Sequence, residues 1–291
     1  MVTINTNYGA AFAAKAARQA SSGLDSAMEK LSTGSRINYA KDDAAGQAIA
    51  TRLTAEIQGL QMASRNAADA QSMLDTAEGA LAESSSVLLR MRELSVQAAN
   101  GTLSSSDNEA LDAEFQQLVS ELTRIAENTT FAGNNLLNGS FDGSDPATNP
   151  ALQFQIGEGS GQNISVTIAA MDATALNLFD ATSSAPTVNT LVDILNATNA
   201  ESALTDVDAA IETVSTARGA LGAVSNRLDS TMNNLDQVAV NLTSSRGRIE
   251  DADFAVETSN LAKNQILQQA ATAMLAQANA SKGSVMALLQ G

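Results

Sequence analysis

Asp42 and Asp43 are adjacent carboxylates, the kind of pair from which a hard-cation site can be built. No third oxygen ligand accompanies them, and two acids at a helix start already suit its dipole. Gly157-Glu-Gly-Ser-Gly161 is a glycine-rich loop whose amides could cradle a phosphate. A dinucleotide loop opens a helix, whereas this one runs into the alternating stretch Asn163–Ile168, which reads as a strand. Arg90 and Arg92 interrupt a surface of small residues, where i,i+4 partners on the same helix would solvate them. The rest of the chemistry is bounded by what is missing. The chain has no His and no Cys. It therefore has no imidazole base, no thiol nucleophile, no thiolate metal site and no disulfide. A Ser or Thr nucleophile would lack the His that activates it. The expectation is a chain that is not an enzyme, with no catalytic residues, no metal and no cofactor.

Charge narrows the partners. The formal net charge of -16 argues against nucleic acid, where affinity rests on Lys and Arg meeting phosphate. From Ile125 to Ala217 there is no Lys or Arg, while acids continue throughout. The two ends are nearly balanced in charge. An acidic middle suits water, and balanced ends are the parts that other chains can cover. No run of about 18 apolar residues exists to span a membrane. Aromatics are only 3% and Trp is absent, so burial must come from thin aliphatic seams.

The elements follow from periodicity. Leu60, Ala67, Leu74, Leu81, Leu88 and Ser95 are spaced by seven, and Ala63, Ala70, Ala77, Ser84, Met91 and Ala98 interleave with them. This is a coiled-coil seam rich in small residues, on a helix expected from Asp43 to Asn100 and roughly 90 Å long. A second helix is expected over Asn108–Asn128, with Leu111, Phe115, Leu118, Leu122 and Ile125 on one face and a Ser106/Glu109 capping box. Leu152–Ile156 and Asn163–Ile168 read as a β-hairpin. Asn177–Ala200 reads as a surface turn-around with one helical turn near Leu191–Leu195. The helix then resumes on Val207, Val214, Leu221, Leu228, Leu235, Leu242 and Ile249, with Leu204 and Ile211 opening a mixed companion series. At the ends stand two weakly apolar helices. One lies within Met1–Ser35 after a short extended lead, with Leu24, Met28 and Leu31 as its better face. The other covers Thr258–Leu289, with Leu267, Ala271, Met274, Ala278, Val285 and Leu288. The order is nearly palindromic, so the chain should run out, turn and return. The expected fold is mainly α: an elongated antiparallel helical bundle or coiled coil with a small β-hairpin region at its outer end.

Four stretches, in order, closely resemble bacterial flagellin: LSTGSRINYAKDDAAGQAIA (Leu31–Ala50), LLRMRELSVQAANGT (Leu88–Thr102), FAGNNLLNG (Phe131–Gly139) and SRGRIEDADFAVETSNLAKNQILQQAATAMLAQAN (Ser245–Asn279). The resemblance implies a structural subunit that self-polymerises into the extracellular filament used for motility. In that frame residues 1–42 and 250–291 form the inner-core terminal helices. Residues 43–176 and 200–249 form the rod with its hairpin, and 177–199 replaces the family's outer domains. The implied route is secretion, unfolded, through the flagellar export channel. The implied partners are other copies of the chain, an export chaperone at the C-terminal helix, and hook-associated and cap proteins. In some members the long helix is recognised by Toll-like receptor 5. The matching positions are Arg90, Leu94 and Gln97, with Glu114 on the neighbouring helix. The expected terminal assembly face is Leu24, Met28, Leu31, Leu267, Met274, Val285 and Leu288. A hook–filament junction protein shares the terminal pattern and is the alternative; a surface adhesin or ligand-binding module ranks lower.

Overall fold

The computed structural model describes residues 6–145, 148–180 and 190–290, without the side chains of 179–180, 190–191 and 282–290. Among these residues there are five helices: α1 (Tyr8–Thr33), α2 (Ala44–Ala98), α3 (Ser105–Asn128), α4 (Ala197–Glu250) and α5 (Phe254–Gln290). Three antiparallel strand pairs complete it: β1 (Thr130–Phe131) with β2 (Asn134–Asn135), β3 (Leu152–Gln155) with β4 (Asn163–Val166), and β5 (Phe179–Asp180) with β6 (Thr190–Leu191). The mainly helical class with a small hairpin is the expected one. The chain forms two compact units, a terminal one (1–57 with 240–291) and a central one (58–239).

In the central unit all twelve residues of the two α2 series, from Leu60 to Ala98, are buried. Opposite them α4 buries Val207, Val214, Leu221 and Leu228. The companions are Ala203 and Ala210, not Leu204 and Ile211, which are half-buried at the flanks. Alanine at the contact lets two backbones approach closely, and the larger side chains then fit beside the seam. Polar contacts mark the antiparallel register: Arg92 Nε donates to Asp208 at 2.7 Å, Arg218 Nη2 meets Glu78 at 2.8 Å, and Ser64 Oγ donates to Asp236 at 3.2 Å.

Helix α3 starts earlier than its expected box. Ser104 is the cap: its Oγ accepts from the Asp107 N–H at 3.3 Å, and the Asp107 carboxylate accepts from the Ser104 N–H at 3.0 Å. The Ser104 hydroxyl, and then its N–H, hold the Asp107 carboxyl below its usual range. Asp does here what Glu109 was expected to do from Ser106, because a shorter acid reaches the cap N–H just as well. The buried face is Phe115, Val119, Leu122 and Ala126; Leu111, Leu118 and Ile125 flank it.

The hairpin pairs Leu152 with Val166 and Phe154 with Ile164. Ile164, Val166 and Ile168 alternate inward and are buried. The stretch after it corrects the expected surface turn. Leu178, Val192 and Ile194 are buried, and Val192 N–H donates to Leu178 O at 3.2 Å. The helical turn expected at Leu191–Leu195 is extended chain, since Val192 and Ile194 alternate with Asp193 and send two apolar side chains to one side. The centre of that turn, 181–189, lies outside the described residues.

In the terminal unit α1 is capped by Asn7, whose side chain accepts from Ala10 N–H at 3.0 Å. It stops at Gly34, whose φ of 74° suits a residue without Cβ. The expected extended lead falls, for residues 1–5, outside the described residues. Helix α5 begins four residues before Thr258, because Asp253 caps it by accepting from Ala255 N–H at 2.9 Å. The two helices are antiparallel: Asn7 Nδ2 donates to Ala278 O at 3.2 Å, and Lys30 Nζ lies 3.5 Å from the Glu257 carboxylate. A Cβ on Gly23 would fall 2.7 Å from Asn264 Nδ2, so the helices touch there. The seam is Ala13, Ala20 and Ala27 against Glu257 and Ala271.

Candidate assembly and recognition surfaces

The acidic pair of the first motif is spent locally. Asp42 Oδ2 accepts from the N–H groups of Asn38 and Tyr39, at 3.2 and 3.0 Å. Asp43 Oδ1 accepts from Gly46 N–H at 2.9 Å and caps α2. Gly46 is held to glycine by that cap and by Ile37: a Cβ would fall 2.5 Å from Asp43 Oδ2 and 2.7 Å from Ile37 Cδ1. Among the described residues no group of three or more Asp, Glu, His or Cys could hold a metal ion. The Gly157–Gly161 loop closes on its own glutamines. Gln155 Nε2 donates to Gly157 O at 2.8 Å and Gly159 O at 2.6 Å, and Gln162 Oε1 accepts from Gly159 N–H at 3.1 Å. It joins two strands, as its sequence context required.

Arg90 sits on the exposed side of α2. Its Nε donates to Glu114 Oε1 of α3 at 2.9 Å and its Nη1 to Glu93 Oε2 at 2.9 Å. These two carboxylates, Glu114 first, raise its pKa further above the usual guanidinium value. Gln97 is exposed one heptad on. Leu94 is different. It is 1% exposed and belongs to the core, so it is not part of a surface with Arg90, Gln97 and Glu114. The reason is a third α2 series, Met73, Ala80, Val87 and Leu94, which packs into the same core. Its seven-residue spacing was readable but lay outside the two series taken as the seam. The exposed apolar residues there are Leu89 and Val96, also seven apart.

Sequence reasoning also missed a polar ladder on α3. Asn108, Asp112 and Gln116 stand four residues apart. Asn108 Nδ2 donates to Leu195 O at 3.3 Å, Asp112 Oδ1 accepts from Ile194 N–H at 3.0 Å, and Gln116 Nε2 donates to Val192 O at 3.0 Å. The i,i+4 spacing was the available signal; nothing in it named the segment it holds.

The terminal unit is unfinished by itself. Of its large apolar side chains only Ile37, Leu53 and Ile57 are buried among the described residues. Phe12 and Phe254 are each 69% exposed, and Tyr8, Met28, Ile266 and Met274 are also exposed. Leu24 and Leu31 are half-buried beside the alanine seam, and Leu267 is exposed. Of the expected α5 face, Ala271 and Ala278 meet α1, whereas Leu267 and Met274 stay exposed. Alanine contacts bring the helices close but remove little apolar area from water. The side chains of Val285 and Leu288 lie outside the described residues.

A helical pair that closes on alanine and leaves its large apolar side chains exposed offers a surface that another chain could cover. Comparison with known proteins gives the family. The bacterial flagellin N-terminal helical region matches residues 4–142, and the C-terminal helical region matches 204–289. A flagellin of Halalkalibacterium halodurans is 44% identical over 264 residues, covering 91% of each chain. One of Bacillus subtilis is 44% identical over 278 residues, covering 90% of this chain and 91% of its own. A Vibrio parahaemolyticus structure, described as a flagellar hook-associated protein, matches with a TM-score of 0.57, covering 72% of this chain and 100% of its own. At 16% identity that likeness shows the shared fold alone. The chain belongs to the bacterial flagellins and is a structural subunit of the flagellar filament.

Proposed function

We propose that this subunit is secreted and completes its terminal unit only on joining extracellular neighbours, so that folding of the two ends is coupled to polymerisation. The terminal helices, 1–42 and 250–291, form the inner layer of the filament. Residues 43–176 and 200–249 form the layer around it, and 177–199 stands where longer relatives place outer domains. One observation carries this reading: large apolar side chains, Phe12 and Phe254 foremost, stay exposed while α1 and α5 pair through alanine. Binding that orders or covers such a surface stabilises it by mass action. Contacts that run head to tail without closing build a helical tube. The expected assembly face includes Leu24, Met28, Leu31, Leu267 and Met274, with Val285 and Leu288 further along α5. Before assembly the same C-terminal helix is the segment for an export chaperone to cover, and hook-associated and cap proteins meet the filament at its ends.

The test is Phe12→Ser with Phe254→Ser. Both positions are exposed in the single chain, so its stability should change by no more than about 0.5 kcal/mol for each substitution. Covering one Phe is worth about 1.5–3 kcal/mol. The critical concentration for filaments, read by sedimentation and electron microscopy, should therefore rise roughly ten- to a hundredfold per position. Unchanged polymerisation would refute the coupling.

A recognition role for the long helix rests on Arg90, Gln97 and Glu114, which share an exposed α2–α3 surface. Toll-like receptor 5 is the partner proposed for it. Arg90→Ala monomers should fold as the parent does, because exposed ion pairs contribute about 0–1 kcal/mol. They should signal through the receptor at least about tenfold less than the parent. An inactive parent would remove this role and leave assembly untouched.

A further inference from the structure

We infer that Asn100 is a site of spontaneous deamidation, a water-driven modification that converts it to aspartate or isoaspartate as the protein ages. The reaction needs no enzyme. The Gly101 backbone nitrogen attacks the Asn100 side-chain carbonyl carbon, Cγ, and loses its proton. The bond from Cγ to the side-chain nitrogen breaks and ammonia leaves, giving a five-membered succinimide. Water then opens the ring at either carbonyl and yields aspartate or isoaspartate. Two things limit this step: access of the following nitrogen to Cγ, and freedom of the backbone to rotate into the attack.

The chain has two Asn-Gly pairs, and the structure separates them. Asn100 and Gly101 are both exposed, just beyond the end of α2. A Cβ on Gly101 would meet nothing within 4 Å, and its φ is not in the left-handed region. Among the described residues no acceptor takes the Gly101 N–H. Asn100 Oδ1 accepts from the Thr102 N–H at 3.4 Å, a long bond that folds the side-chain carbonyl over the peptide that attacks it. At Asn138 the same dipeptide is held. Gly139 is buried at a φ of 84°, and its Cβ position lies 3.1 Å from Ala170 Cβ. The side chain makes the same turn as at Asn100, with Ser140 N–H donating to Asn138 Oδ1 at 3.1 Å, so the difference lies in the backbone, which is tied beside it by Met171 N–H to Leu137 O at 2.9 Å. Rotation at Asn100 breaks only two long bonds of an exposed turn, Asn100 N–H to Gln97 O at 3.2 Å and Leu103 N–H to Asn100 O at 3.3 Å, whereas at Asn138 it must also break packing.

The product has consequences where it forms. A carboxylate at the end of α2 faces the helix's unpaired carbonyls, the unfavourable end for an anion. The isoaspartyl form also adds a backbone carbon within the turn that leads to the Ser104 cap. The modification therefore loosens the α2–α3 connection with time and adds one negative charge three residues beyond Gln97.

Purified full-length chain should be held at mildly alkaline pH and sampled over days by peptide mapping, with isoaspartyl methyltransferase labelling to read the isomer. Asn100 should convert at least about tenfold faster than Asn138, the ratio that about 1.4 kcal/mol of extra barrier gives. Gly101→Ala adds a methyl group in open space, so the variant should fold as the parent does by circular dichroism. It should slow conversion at Asn100 by about tenfold or more. Equal rates at the two asparagines, or a Gly101→Ala chain that reacts as fast as the parent, would overturn the assignment.

Discussion

A chain lacking residues 1–33 should remain unpolymerised at concentrations where the full-length protein forms filaments. The deletion removes α1, and with it the Ala13, Ala20 and Ala27 seam, the Lys30 partner of buried Glu257, and the Asn7 contact to Ala278. What remains of the terminal unit cannot compensate. The α5 side that meets α1 carries Glu257, Asn264 and Ala271, a weakly apolar set that gains little from burial. Most helical stability in proteins comes from packing an apolar face, and an isolated helix of such composition is marginal in water. Helix content should therefore fall by more than the 26 residues of α1, because α5 loses order as well. The central unit has its own core of Leu, Met, Phe and Val side chains, so its cooperative unfolding should persist. Sedimentation and electron microscopy read the first outcome, and far-UV circular dichroism and urea unfolding read the other two. Normal filaments from the truncated chain would mean that the ends are not what assembly completes.

Periodicity made the central helices readable because both long seams repeat strictly every seven residues, from Leu60 to Ala98 and from Val207 to Leu228. Such spacing survives any local detail of packing. Two kinds of feature were harder to read. The first is a face chosen by small residues. Large apolar side chains pointed to Leu267 and Met274 on α5, and to Leu204 and Ile211 on α4. On α4 the contacts fall one position away, on Ala203 and Ala210, and on α5 they fall on Ala271, the small member of the expected face. Alanine carries little hydrophobic signal, yet it decides how closely two helix axes approach. Leu94 was grouped with Arg90, Gln97 and Glu114 by resemblance alone; a helix packed by neighbours on more than one side buries a third series, and that series takes Leu94 into the core. The second kind is a polar contact distant in sequence. Asn108, Asp112 and Gln116 hold the 192–195 segment through backbone groups, and backbone acceptors have no residue type to betray them. The short pair β1–β2 was unread for a related reason. It turns through Ala132 and Gly133, both at positive φ, without the alternating pattern that marks a strand.

Leu88→Ala and Leu89→Ala, neighbours in sequence, should differ several-fold in their effect on stability. Leu88 is 0% exposed and lies in the α2 seam, whereas Leu89 is 52% exposed. Truncating a buried Leu loses its transfer energy and leaves a cavity that surrounding helices fill only partly, at about 2–5 kcal/mol. The α2 seam is poorly placed to fill that gap. Its neighbours Ser84, Met91 and Ser95 are themselves fixed on the same helix, and the facing series Val207, Val214, Leu221 and Leu228 is fixed on α4. The cost at Leu88 should therefore fall in the upper half of that range. At Leu89 no cavity forms, alanine is the better helix former, and the change should stay within about 0.5 kcal/mol. Urea unfolding of the unpolymerised chain measures both, with the slope checked so that a two-state treatment of the central unit holds. A one-residue displacement of the seam that turned α2 by about 100° and put Leu89 in Leu88's place would move the larger loss to Leu89. Equal losses at both positions would instead mean that α2 is enclosed on all sides, leaving no exposed face on which Arg90 and Gln97 could meet another molecule.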